Sequence, residues 1–388
     1  METAKRIEKL PPYLFAEIDK KVAEVKSKGV DVISLGIGDP DMPTPDYIID
    51  RMISEVKKPE NHKYPEYLGM DEFRKAVAEY YKDRFEVNLN EDSEVVALIG
   101  SKEGIAHINQ CFVDPGDVNL VPDPGYPVYS IGTMFAGGES YKMPLKAENN
   151  FLPDLKEIPE DVAKKAKIMF LNYPNNPTAA VATEEFFQEV VEFCKKYDIL
   201  VCHDSAYAEI CFDGYKPPSF LKVDGAKDIG IEFGSLSKSF NMTGWRIGYA
   251  VGNEFALEAL GRFKTNVDSG AFHAVQLASE EALLNNRQEI IDEFNSIYQK
   301  RRDKVVDTLK QVGIDVVPPK GSFLVWAPVP EGYTSSEFTT RVLEETGVIV
   351  TPGSAFGEYG EGFFRISLTL DDDKLETALE RLGSQLKL

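Results

Sequence analysis

Between residues 94 and 252 short apolar runs recur, most of them followed by a helical stretch. EVVALIG (94–100) precedes SKEGIAHINQCFV (101–113), and VNLVP (118–122) ends at DPGYP. KIMFLN (167–172) ends at YPNNP and leads into TEEFFQEVVEFCKKY (183–197). ILVCHD (199–204), IGIEFGS (229–235) and RIGYAVG (246–252) continue the rhythm. These runs are apolar on both faces, so each strand must be covered twice, which helices crossing between parallel strands provide. The pattern predicts an α/β fold with a mostly parallel, doubly wound sheet.

Around this block the reading changes. Residues 14–28 have the spacing of an amphipathic helix, 32–45 read as a short strand and a Gly/Pro-rich loop, and 70–85 as a helix. One long helix is expected over roughly 274–311. Beyond it GSFLVWAPVP, GVIVTPG and FFRISL read as strands mixed with helices over 335–346 and 371–386, a smaller α+β domain. A chain of 388 residues exceeds what one simple core holds. We divide it into an N-terminal arm (1–45) packing with the small domain, a large domain (46–285) and a small C-terminal domain (286–388).

Composition excludes several classes of function. The net charge of −21 argues against a nucleic-acid or anionic-membrane partner. Four cysteines without a C-x-x-C pair and four histidines give no support for a metal site. His203 beside Asp204 reads better as a buried structural histidine than as a ligand. The N-terminus METAKRIEKLPPYLF has no apolar signal region, and no run is long enough to span a membrane. Free thiols fit a reducing compartment, so the expected location is cytoplasmic.

Ligands of open α/β sheets bind beyond the carboxyl ends of the strands. Five strands deliver polar or aromatic residues there: Gly100-Ser101-Lys102, Tyr126, Asn176, Asp204 with Tyr207, and Ser235, Ser237 and Lys238. The Gly100-Ser101-Lys102 turn opens a helix whose N–H groups can hold a phosphate, with Ser235, Ser237 and Arg246 completing the cage. Lys238, desolvated beside other cations, can lose its proton and attack an aldehyde. Asp204 can pair with a ring N–H⁺, and Tyr126 offers a stacking face. Phosphate, aldehyde, ring nitrogen and flat face together describe pyridoxal 5′-phosphate (PLP).

S-x-S-K-x-x-x-x-x-G-x-R-x-G, Ser235 to Gly248, resembles the lysine signature of class I/II aminotransferases, the fold-type I PLP enzymes. Asn176 in NYPNNPT, Asp204 and Tyr207 in HDSAY, Lys238 and Arg246 follow the family's order and separation. The resemblance implies that Lys238 holds the cofactor as a Schiff base and then carries the substrate proton. It implies that Asp204 keeps the pyridine nitrogen protonated, and that Tyr207 and Asn176 meet the ring oxygen. Arg365 in FFRIS matches the carboxylate-binding arginine, with Asn176 and Gly38 beside the substrate, and Tyr64 matches a tyrosine that reaches the phosphate across a homodimer interface. Lys102, where a small neutral residue is commoner, suits either the phosphate or a distal substrate carboxylate. Glu103 suits the positive end of its helix. Tyr13 and Tyr129 are candidates for the cleft wall, with core packing the default.

Within the family, YAEICFDGYKPPSFLKV and GSKEGIAH are similar to bacterial and archaeal members acting on LL-2,6-diaminopimelate. The reaction implied moves its amino group to 2-oxoglutarate, a step of lysine biosynthesis. The alternatives are aspartate, alanine or aromatic amino donors, or a PLP-dependent carbon–sulfur lyase on the same fold. A PLP-sensing regulator would need a DNA-binding domain, and only about 30 residues precede the loop at Gly36, in a chain that is acidic as a whole.

Overall fold

A computed structural model describes residues 1–10, 16–27 and 29–387, those from 16 to 21 as backbone alone. The helix expected over 14–28 runs Ala16–Ser27; its outermost residues lie outside the described ones, as does Tyr13. Twelve strands organise the described chain: β1 (Ile33–Ser34), β2 (Val95–Leu98), β3 (Val118–Asp123), β4 (Glu139–Pro144), β5 (Ala166–Asn172), β6 (Leu200–Asp204), β7 (Gly230–Ser235), β8 (Gly248–Gly252), β9 (Leu324–Pro328), β10 (Val348–Ile349), β11 (Thr351–Pro352) and β12 (Phe363–Ser367).

The central sheet has seven strands in the order β2-β8-β7-β6-β5-β3-β4. It is parallel except for β8, which runs against β2 and β7. Neighbouring residues of one strand point to opposite faces. Val95, Ala97, Met169, Leu171, Val201 and Val251 therefore enter one core, under helices Asp71–Phe85, Glu184–Tyr197 and His273–Leu284. Val96, Leu98, Ile168, Phe170, Cys202 and Phe233 enter the other, under Ser101–Phe112 and Glu254–Lys264. Both faces are covered, as the unbroken apolar runs demand. β4 was not foreseen, because ESYKMP is largely exposed at the sheet edge and lacks a buried strand's apolar run.

A third core gathers the C-terminal elements. β9, β11 and β12 form an antiparallel sheet, and β1 pairs in parallel with β10, Ile33 opposite Val348. Ile33 and Leu35 are buried here with Phe323, Phe338, Ile366 and Leu379. Helix Ser335–Thr346 starts at a reciprocal Thr334–Glu337 capping box and ends at left-handed Gly347.

The single helix expected over 274–311 is two, His273–Leu284 and Arg287–Gln311. Asn285 is extended and Asn286 left-handed at φ 52°, a conformation asparagine adopts more readily than most residues. Among the described residues no helix is long and apolar enough to cross a membrane.

Phe170 is fully buried in β5 and stacks on Tyr129 with ring centroids 5.1 Å apart. Phe170→Ala is expected to cost about 3–5 kcal/mol. A lower urea midpoint at unchanged slope would show it; an unmoved midpoint would mean that the ring carries little of the packing.

Candidate active site

The carboxyl ends of the parallel strands meet at one edge of the sheet. β8 runs the other way, so it contributes from its beginning: Arg246 lies two residues ahead of Gly248. Opposite it, β2 leads into left-handed Gly100 (φ 76°) and then helix Ser101–Phe112. Any side chain at Gly100 would collide with the Arg246 guanidinium, and one at Gly248 would come within 2.8 Å of the Ser101 nitrogen. Two glycines thus keep helix N–H groups and an arginine fork side by side with nothing between them. Arg246 is exposed, donating to the carbonyls of Thr243 (2.8 Å) and Ile99 (3.4 Å). Ser235 caps the short helix Leu236–Ser239 by accepting from the Ser237 N–H at 3.2 Å. Lys102 lies over the Tyr126 ring, 5.7 Å from its centroid.

At the end of β6, Asp204 is only 6% exposed. Its Oδ2 accepts from the Tyr129 hydroxyl at 2.9 Å, while Oδ1 has no hydrogen bond of ordinary geometry. Burial raises the Asp204 pKa to about 6, opposed by the Tyr129 hydroxyl, His203 and the Ala206 N–H. Burial likewise pushes the Tyr126 hydroxyl up to about 12, with Asp204 contributing. Asn172, at the end of β5, donates to the Asp204 carbonyl at 2.7 Å and accepts from the Asn176 N–H at 2.7 Å. One buried amide therefore couples the strand bearing the carboxylate to the turn bearing Asn176. His203 is fully buried and bonded through Nδ1 to Glu232 at 2.8 Å, the structural role expected of it.

Lys238 is half-buried, its ammonium donating to the Gly38 carbonyl at 3.2 Å and lying 5.6 Å from the Phe323 ring centre. Its pKa is lowered, first by burial and also by Arg246 and Arg365, against the opposing charge of Asp39. Tyr207 packs edge-on against the same Phe323 at 5.4 Å, and burial raises its hydroxyl pKa. Arg365 is 5% exposed, so the solvated sheet face that its alternation with Phe364 and Ile366 leaves open is not its setting. It donates to Asn176 Oδ1 (2.9 Å) and the Gly36 carbonyl (2.7 Å), lies 4.6 Å from the Phe356 ring centre, and keeps a buried Nε without a partner. Burial pulls its pKa down to about 10.

Contacts or mutual electrostatic effects thus join Gly38, Lys102, Tyr126, Asn176, Asp204, Tyr207, Lys238, Arg246 and Arg365. Ser235 and Ser237 bond each other, Ser101 opens the neighbouring helix, and Tyr64 is 87% exposed and, among the described residues, makes no hydrogen bond to the group. Three residues gain roles not foreseen. Tyr129 is a hydrogen-bond donor as well as a packed ring, and Asn172 is a bridge that nothing in KIMFLN distinguishes from a strand terminus. Glu103 is more than a dipole partner: it accepts from the Ile99 N–H at 3.0 Å and from buried Lys264.

The family described as aminotransferase class I and II matches residues 30–382, and the chain belongs to it. It is 59% identical to the LL-diaminopimelate aminotransferase of Moorella thermoacetica over 382 residues, 98% of each chain. It is 57% identical to that of Halothermothrix orenii, again over 98% of each. Substrate-bound BacF from Bacillus subtilis superposes with a TM-score of 0.93 at 39% identity, covering 99% of this chain and 97% of that one.

The enzymes of this class use PLP. The residues here fit it on their own chemistry. The open Asp204 Oδ1 is a buried acceptor in want of a donor, and the Gly100–Gly248 cradle is room kept clear beside N–H groups and a guanidinium.

With its folded pKa above the usual 3.8, Asp204 holds its proton more tightly in the folded chain, so it destabilises that state as pH rises. The apoprotein is expected to lose stability relative to Asp204→Asn between about pH 4 and about pH 6, and no further above that. A difference that stays flat over this window would return the carboxyl to its ordinary range.

Proposed function

We propose that the chain transfers the amino group of LL-2,6-diaminopimelate to 2-oxoglutarate, as a homodimer serving lysine biosynthesis. One observation carries the reading: a lysine with lowered pKa, an acceptor-only buried carboxylate and a buried arginine lie together at one edge of the sheet, in a chain similar end to end to enzymes of that name. PLP, when bound, supplies an aldehyde and a sink for the electron pair of the substrate Cα–H bond.

The chain's own groups then divide the work. Ser101, Ser235, Ser237, Arg246 and Lys102 would hold the phosphate end, and Tyr126 would cover the ring face. Asp204 Oδ1 would accept a ring N–H, while Tyr129 holds the other oxygen at 2.9 Å. Tyr207 and Asn176 meet the ring oxygen. Arg365 and Asn176 orient the α-carboxylate, with Gly38 lining the approach. Lys238, its ammonium form disfavoured by burial, would be the group that takes the substrate Cα proton and holds it for return. Tyr64, exposed on its own chain, would be free to reach the phosphate held by a second copy.

A coupled assay of LL-diaminopimelate with 2-oxoglutarate, beside aspartate, alanine and phenylalanine, tests the substrate. A clear preference for LL-diaminopimelate is expected; preference for another donor sinks the substrate while leaving the family standing. Failure of 2-oxoglutarate to restore the aldehyde form of the cofactor would favour a lyase. Lys238→Ala should lower kcat by at least about 10²–10⁴-fold, since the proton carrier is lost. Arg365→Lys should raise KM about tenfold or more for every amino acid, because a point charge cannot replace the bidentate fork. An unaltered KM would move the carboxylate site elsewhere.

A further inference from the structure

Lys264 is the last residue of helix Glu254–Lys264, and its side chain is 0% exposed. Its ammonium donates to both carboxylate oxygens of Glu103, each at 3.1 Å, and to both of Asp268, at 3.3 and 3.0 Å. His107 Nδ1 lies 2.8 Å from Glu103 Oε1. Glu103, His107 and Asp268 bring ligand atoms within 4.8 Å of one another, and Lys264 supplies the positive charge among them.

Burying a lysine is unfavourable unless it is fully paired, and a surface helix end does not need one. The cluster's other contacts show what it does. Glu103 Oε2 accepts from the Ile99 N–H at 3.0 Å, and the Glu103 N–H donates to the Gly100 carbonyl at 3.1 Å. The Ile99 carbonyl in turn accepts from Arg246 Nη2 at 3.4 Å. The turn of Ile99, Gly100 and Ser101 is thus held from below by a carboxylate that Lys264 pins and bonded above to the arginine of the phosphate end. Without the ammonium, Glu103 and Asp268 would face each other as like charges, and Glu103 would turn away from Ile99.

We propose that Lys264 is a positioning residue for phosphate binding, acting through Glu103 on the Ile99–Ser101 turn. It touches neither cofactor nor substrate. The proposal rests on the reading that the phosphate lies at Ser101 and Arg246.

The test compares the affinities of the full-length chain for PLP and for pyridoxal, which lacks the phosphate, by titration of the apoprotein. Lys264→Met keeps the length of the side chain and removes the charge. PLP affinity is expected to fall about tenfold or more, the worth of one hydrogen bond to a charged group, with pyridoxal affinity unchanged. A general packing defect would weaken both ligands alike, and a folded variant that keeps the wild-type ratio overturns the proposal. Should Lys264→Met not fold, Glu103→Gln decides. It keeps an acceptor for the Ile99 N–H but loses the charge that Lys264 pins, so a smaller drop in the same ratio is expected, and no drop is fatal. Wild-type protein without any preference for the phosphorylated form would remove the phosphate reading itself, and this proposal with it.

Discussion

A sheet buried on both faces leaves polar side chains one tolerable place, the strand ends. Within β5, β6 and β7 almost every side chain meets hydrocarbon, and an unpaired polar group there would be strongly unfavourable. Buried His203 and Glu232 bond each other across β6 and β7, Glu232 accepts further from Ser219 and the Phe220 N–H, and His203 Nε2 alone is left without a partner. Because the strands are parallel, their ends fall along one edge, and groups that lie far apart along the chain converge there. The lone antiparallel strand reaches the same edge by its first residues, which places Arg246 against Gly100 from the opposite chain direction.

What converges is held by the backbone as much as by side chains. Asn172 bonds the Asp204 carbonyl and the Asn176 N–H, Glu103 bonds the Ile99 N–H, and the carbonyls of Gly36 and Gly38 receive Arg365 and Lys238. Each chemically active group is adjacent to a main-chain segment that is itself tied down, so little entropy is left to lose when a ligand arrives. Glycine serves the same end by absence of bulk: at Gly100 and Gly248 any larger residue would fill the cradle.

The sheet and its direction were legible because unbroken apolar runs admit only a doubly covered strand. Asp204 and Lys238 were legible because a charge at or just past the end of such a run has no packing purpose, and Arg246 because it completes the spacing that begins at Ser235. Other features left no local trace. Tyr129 looks like any aromatic of a packed helix, and its donation to Asp204 spans 75 positions. Glu103 and Lys264 are 161 residues apart, each ordinary in its own helix. The break at Asn285–Asn286 was hidden because asparagine is tolerated in helices and its left-handed preference shows only where tertiary packing selects it. β4 escaped notice because an edge strand may be wet on one side and so reads as a loop.

The partners of Arg365 carry a consequence for how the cleft discriminates. One N–H of each terminal nitrogen already engages Asn176 or the Gly36 carbonyl, which leaves the second N–H of each and the partnerless Nε. An arriving carboxylate therefore meets a guanidinium already oriented by neutral acceptors, and where it displaces one of them its gain is the difference between a charged acceptor and a neutral one. Neutral or poorly aligned acceptors have almost nothing to gain from that trade. Selectivity for an anionic end group follows from that difference, while the Gly36 carbonyl keeps its second donor, the Thr351 hydroxyl at 3.1 Å, whichever acceptor the guanidinium serves.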